Sequence, residues 1–169
     1  MTREEKLQLN KERKRAVKEA WNRERALVSN GKGTVDWSYE QQMELLEKGH
    51  VSGFEGQHMK SVTEYPEYAG CVDNIQLLSH EDHLAAHNCS ELSDKKGYHS
   101  PTNGYYDTKT KSLQSFGERP PIAPEVIKLS NSYSAERDRA NCSISKTNSR
   151  NEESIEHMHD MAGKYMIER

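Results

Sequence analysis

The sequence predicts an α+β chain whose core is two short strands followed by a helix, with an N-terminal helical extension and a largely irregular or helical C-terminal tail. Three observations carry this expectation. Val51 to Met59 has strand character, with Gly53 and Gly56 leaving room for a bulge or a close backbone approach. Ile75 to Leu78 reads as a short return strand. Ser79 with Asp82 then caps a helix of about two turns ending near Asn88.

In chain order, the first thirty residues read as one helix. Thr2 can cap its start, and Gly31 can end it. Leu7, Ala16, Ala20, Trp21, Ala26 and Leu27 supply a sparse apolar stripe. Gly31 to Thr34 is expected as a loop. A second helix begins at Ser38, which with Gln41 makes a capping-box pattern, and stops at Gly49. Residues 60–72 form a long connection between the two core strands. A hairpin across Tyr105 to Phe116 is expected, then helices from Pro124 to about Arg139 and from Glu152 to Ile167, with Ser143 to Asn151 as linker. The resulting division is 1–50 helical and basic, 51–120 core, and 121–169 tail.

Composition bounds the functional classes. The 169 residues are 33% apolar, and the mean hydropathy is −1.05, so a small polar fold pinned by a metal would suit this chain. No stretch approaches the roughly 18 apolar residues of a membrane span, and the N-terminus lacks the apolar core of a signal peptide. Synthesis in the cytoplasm is the expectation. Cys71, Cys89 and Cys142 are odd in number, far apart and without a C-x-x-C pair, which reads as reduced thiols filling small spaces. The net charge of −3 conceals a gradient: residues 1–32 carry ten Lys/Arg against five Glu, whereas 53–107 carry three Lys against nine Asp/Glu. A basic arm beside an acidic, metal-loaded centre is compatible with a nucleic-acid substrate. A solvated, charged helix is the plainer alternative.

The chemistry concentrates in Gly53-Phe-Glu-Gly-Gln-His-Met59, Asp73-Asn-Ile-Gln76 and His83-Leu-Ala-Ala-His87. His83 and His87 stand four apart, so they project from one helix face and can share a cation. By itself this spacing is common among ordinary helix residues. With His58 on the first strand and Asn74 in the return segment, it becomes a candidate for one metal ion beside one general base.

Together with Trp21, Trp37, Gly49-His-Val-Ser, Tyr65-Pro-Glu-Tyr-Ala-Gly70 and Pro101-Thr-Asn-Gly104, these motifs resemble the HNH/endonuclease VII superfamily of ββα-metal nucleases. The match is to the GHH-signature toxin domains of bacterial polymorphic toxins, over roughly residues 15–107. The resemblance implies His58 as general base, Asn74 as the catalytic-site residue that braces the strands or orients the base, and His83 and His87 as metal ligands. Where the family has Gly-His-His this chain has Gly56-Gln57-His58, which leaves Gln57 as the third ligand through its amide oxygen. Such a donor should weaken zinc relative to magnesium or manganese. The same change would equally mark a variant of reduced activity.

The resemblance further implies one divalent cofactor (Mg, Mn, Zn or Ni) and DNA as substrate, with RNA open. A cognate immunity protein and a secretion-system component or adaptor are the implied partners. The implied route is synthesis in a bacterial cytoplasm and action in the cytoplasm of a recipient cell. The competing expectation is an impaired descendant that binds nucleic acid or protein around a structural ion. Glu55 alternates with Gln57 and is expected to support the metal site without binding the ion. His50, His80 and His99 are expected at the surface, His157 and His159 have no expected metal role, and Trp21 and Trp37 should pack the helical part onto the strands.

Overall fold

The computed structural model describes residues 1–87, 100–133 and 139. Cys89, His99, Cys142, His157, His159, the expected end of the third helix at Asn88, the linker from Ser143 and the helix from Glu152 all lie outside the described residues. The described architecture is mixed α+β, with three α-helices and three small two-stranded sheets.

Helix α1 spans Arg3–Ser29 and opens with a capping box in which Thr2 and Glu5 exchange side-chain and backbone bonds. It ends one residue before the expected stop, at Asn30, and Gly31 follows at φ +73°. Its buried line is Ala16, Ala20, Glu24 and Val28, each one turn below the last. Leu7 and Ala26, expected in the apolar stripe, are exposed. Glu24 occupies the core-facing position in their stead, because three donors meet it. Its carboxylate accepts from Thr34 N at 2.7 Å, Thr34 Oγ1 at 2.8 Å and Trp37 Nε1 at 2.7 Å. A buried carboxylate persists only when its lone pairs are met in this way.

The Gly31–Thr34 segment is not wholly a loop. Lys32–Gly33 forms β1, which pairs antiparallel with β6, Ile127–Lys128, and Leu129 N donates to Gly31 O at 2.9 Å. The helix expected from Pro124 therefore does not begin there. Pairing at 127–128 and bonds from Ser130 N and Oγ to Asp36 hold that segment extended. Helix α2, Tyr39–Lys48, carries the expected Ser38/Gln41 capping box and ends at Gly49 in the left-handed conformation.

Strands β2, Phe54–His58, and β3, Ile75–Ser79, pair antiparallel with His58 opposite Ile75 and Gln57 opposite Gln76. Short 3₁₀ turns at Pro66–Tyr68 and Val72–Asn74 lie in the connection between them. Ser79 caps α3, His80–Ala86, by accepting from Asp82 N. A hairpin of β4, Gly104–Asp107, and β5, Ser112–Ser115, follows where one was expected. Its β4 strand docks on β3 because the Gln76 side chain bonds both Tyr106 N and Tyr106 O.

The main hydrophobic cluster draws on α1, α2, β3 and Leu129, with Trp37 at its centre. The Trp37 ring packs edge-on against Phe54 at 4.7 Å and lies 6.2 Å from Trp21, so the tryptophans join the helices to β2 as expected. Gly56 sets how closely α1 approaches β2: a Cβ there would fall 2.8 Å from Val17 Cγ1. The glycine of the strand motif thus brings the basic helix onto the strand that carries His58.

Candidate nuclease site

His58, the last residue of β2, is half-buried, and its Nε2–H donates to the carbonyl of Ala69 at 3.0 Å. That bond fixes the tautomer and leaves the lone pair on Nδ1. Burial lowers the His58 pKa; the Ala69 bond opposes this, and the charge of Arg13 adds to the lowering. The neutral imidazole, with its lone pair on Nδ1, is the form this environment favours.

Ala69 belongs to the connection that Asn74 anchors. Asn74 is fully buried, and its amide bonds both sides of one peptide position: Lys60 N donates to Oδ1 at 2.8 Å and Nδ2 donates to Lys60 O at 3.0 Å. Nδ2 also reaches Tyr68 O at 3.4 Å. These bonds hold strand and connection together, so Asn74 bears on His58 through the backbone that presents Ala69. Lys60 itself, only 2% exposed, was not anticipated. Its ammonium donates to Gly117 O at 2.9 Å and sits 4.2 Å from the Tyr65 ring and 5.9 Å from the Tyr68 ring. The signal in the sequence was the two tyrosines spaced three apart after a lysine, a pattern too common to single out.

The imidazoles of His83 and His87 lie 5.1 Å apart between ring centroids. His83 Nδ1 bonds Glu55 Oε2 at 2.5 Å, and His87 Nδ1 bonds the carbonyl of Ser100 at 2.6 Å. With Nδ1–H donating in each, the lone pair of each ring is on Nε2. A carboxylate or carbonyl behind a histidine is the usual support of a ligating imidazole. The bond from His83 holds the Glu55 carboxyl below the usual carboxylate range, and a second bond, from His80 at 3.2 Å, adds to this. Glu55 therefore lies beside the histidine pair as expected, and His80 is exposed yet joined to it.

Gln57 is 2% exposed; its Nε2 donates to Thr102 Oγ1 at 3.4 Å, whereas its Oε1 is buried without a hydrogen-bond partner. Among the described residues no group of three or more His, Cys, Asp or Glu is disposed to hold a metal ion. The donors expected from the sequence, the two imidazoles and the Gln57 amide, line one cleft. The unpartnered buried oxygen is the observation that fits a cation, since such an atom is costly unless something meets it.

Arg13, Gln57, His58, His83 and His87 line one cleft of about 640 Å³. An adjoining groove of about 370 Å³ runs between α1 and β2, lined by Asn10, Arg13, Lys14, Val17, Gly56 and His58. The structure thus gathers the strand histidine, the helix histidine pair and Gln57 with two cations of α1, while Asn74 sits behind them. Arg13 and Lys14 were expected only as part of a basic arm; their place beside His58 follows from the packing of α1 over Gly56. No helix among the described residues is long and apolar enough to cross a membrane.

Part of the chain is similar in sequence to known proteins. Teneurin-3 of Mus musculus is 39% identical over 71 residues, 41% of this chain and 3% of that protein. Teneurin-m of Drosophila melanogaster is 40% identical over 63 residues, 37% of this chain and 2% of that protein. The chain thus spans only a small part of the curated relatives it matches. The sequence model of the family described as "GHH signature containing HNH/Endo VII superfamily nuclease toxin" matches residues 3–79, which hold α1, β2, His58, Asn74 and β3. Residues 3–79 of this chain belong to that GHH-signature family of HNH/endonuclease VII nuclease toxin domains.

Proposed function

We propose that the chain is a metal-dependent endonuclease that hydrolyses phosphodiester bonds of DNA with little sequence preference, acting as an antibacterial toxin effector in a target cell. The single observation that carries this reading is the cleft in which His58, Gln57, His83, His87 and Arg13 meet.

In this reading His58 Nδ1 takes a proton from the attacking water, with Nε2–H held by Ala69 so that the ring cannot turn away. Arg13 and Lys14 hold the phosphate backbone along the α1 groove. Gln57, His83 and His87 would hold the divalent cation, His83 and His87 through Nε2 and Gln57 through Oε1. Bound there, a divalent cation offsets charge developing on the phosphate and the leaving oxygen. A cognate immunity protein would be acidic where it covers the cleft and the α1 groove, and a secretion component or adaptor would deliver the chain.

The test is cleavage of plasmid DNA by metal-loaded protein, with a chelator control and with His58→Ala. Nicking that survives in His58→Ala would remove His58 from its role. One observation favours a second reading, an impaired nucleic-acid- or protein-binding module: Gln57 stands where the family signature has histidine. Retarded migration of DNA without cleavage, across magnesium, manganese, nickel and zinc, would select that reading.

A further inference from the structure

The hydroxyl network behind Gln57 belongs to Ser61 and Thr102, and Thr102 lies beyond the family-matched residues 3–79. Counting its protons decides what it offers. Thr102 N–H donates to Ser61 Oγ at 2.6 Å, and Ser61 N donates to Thr102 O at 2.9 Å. With its oxygen already accepting, the Ser61 hydroxyl directs its proton to Thr102 Oγ1, 3.1 Å away. Thr102 gives its own proton to the carbonyl of His58 at 3.3 Å. What remains on Thr102 Oγ1 for Gln57 is a lone pair, and only the NH₂ end of the amide can meet it. The amide oxygen is thereby turned away from Thr102, and it is this atom that is left buried without a partner.

We propose that Thr102 determines the metal preference of this centre, by holding the Gln57 amide with its oxygen available as the third donor. The inference rests on the reading that Gln57, His83 and His87 share an ion. An amide oxygen is a hard, neutral donor and favours manganese or magnesium relative to zinc, whereas the opposite orientation would present an NH₂ group that has no lone pair to give. Thr102 is a positioning residue: it touches Gln57 and not the cation.

The full chain, freed of metal, is titrated separately with Mn²⁺ and Zn²⁺ by calorimetry, with thermal melting of the metal-free protein as a check on folding. Thr102→Val keeps the shape and removes the hydroxyl. It should weaken Mn²⁺ by about tenfold or more, the scale of supporting-residue mutations at metal sites, with a smaller loss for Zn²⁺. Thr102→Ser should retain the original ratio. Ser61→Ala frees the relay from its other end and should shift the ratio in the same direction by less. An unchanged Mn²⁺ to Zn²⁺ ratio in Thr102→Val overturns the proposal. If that variant does not fold, an unchanged ratio in Ser61→Ala overturns it. Failure of the underlying reading looks different: the unaltered chain binds neither ion, or Gln57→Leu binds both as well as the parent does.

Discussion

The glycine at position 56 gives the sharpest test of how the basic helix is held against the motif strand. Gly56→Ala adds one carbon atom, and an ideal Cβ would lie 2.8 Å from Val17 Cγ1 and 3.2 Å from both Val17 Cγ2 and Ile75 Cγ2. Val17 and Ile75 are β-branched, so neither neighbour swings aside without strain. Helix α1 must retreat from β2, and overpacking of this kind costs about 1–3 kcal/mol. For a chain of this size that lowers the melting temperature by roughly 2–12 °C. Val17→Ala removes two of the three methyl groups that the new Cβ would meet, the nearest included, so the double variant should be more stable than the sum of the single losses, by about 1 kcal/mol. The retreat also carries Arg13 and Lys14 away from His58. At a temperature well below melting, kcat/KM for plasmid cleavage should therefore fall in Gly56→Ala and recover in part in the double variant. Two results would refute the reasoning: a Gly56→Ala melting temperature within about 1 °C of the parent, or strictly additive losses.

Other perturbations probe separate parts of the structure. Glu24→Ala leaves the buried Trp37 Nε1 and the Thr34 amide without their acceptor, at roughly 1–3 kcal/mol for each orphaned donor, and urea denaturation should show a loss of at least the smaller sum; a loss below 1 kcal/mol would mean that water reaches both groups. Neutralising Arg13 and Lys14 as glutamines should weaken DNA binding and flatten its dependence on salt by about one to two counterions, read from binding isotherms across ionic strength. An unchanged salt slope would assign the α1 groove to a protein partner. His83→Ala should lower both metal affinity and the melting temperature of the loaded protein, and a chelator should reproduce the thermal effect in the parent chain; identical melting with and without chelator would remove the ion from the folding balance.

What could be read from the sequence divides by the range of the interactions. Thr2, Ser38 with Gln41, Gly49 and Ser79 with Asp82 act within one helical turn, and all four ends form as their residues dictate. The order of β2, β3 and α3 was equally legible, since alternation and turn residues are local. Contacts between distant segments were not. Lys32–Gly33 and Ile127–Lys128 are too short to carry any alternating pattern, and they meet only because the core brings them together. Glu24 reads as one charge among many on a basic helix, although it continues the buried line of Ala16 and Ala20; its polarity concealed the periodicity. At the candidate site, His58, His83 and His87 could be named from motif spacing, and Gln57 from the resemblance to the GHH signature. The carbonyls of Ala69 and Ser100 that orient His58 and His87 could not, because every residue type offers a carbonyl and only the fold chooses which one.

The short pairing of β1 with β6 has a practical consequence for anyone who would move this unit into another polypeptide. Leu129 is part of the main hydrophobic cluster, and the Gln42 side chain spans the carbonyls of Trp37 and Asn131 and the amide of Tyr133. Residues 127–133 thus act as a strap buckled across the first helical pair, far in sequence from the residues that would do chemistry. A cassette cut after residue 79, where the family match ends, or after 120, where the motifs run out, would discard the strap together with Leu129. It would also expose the edge of β1 and the Trp37 face beneath. The splice point that preserves the unit lies beyond Tyr133.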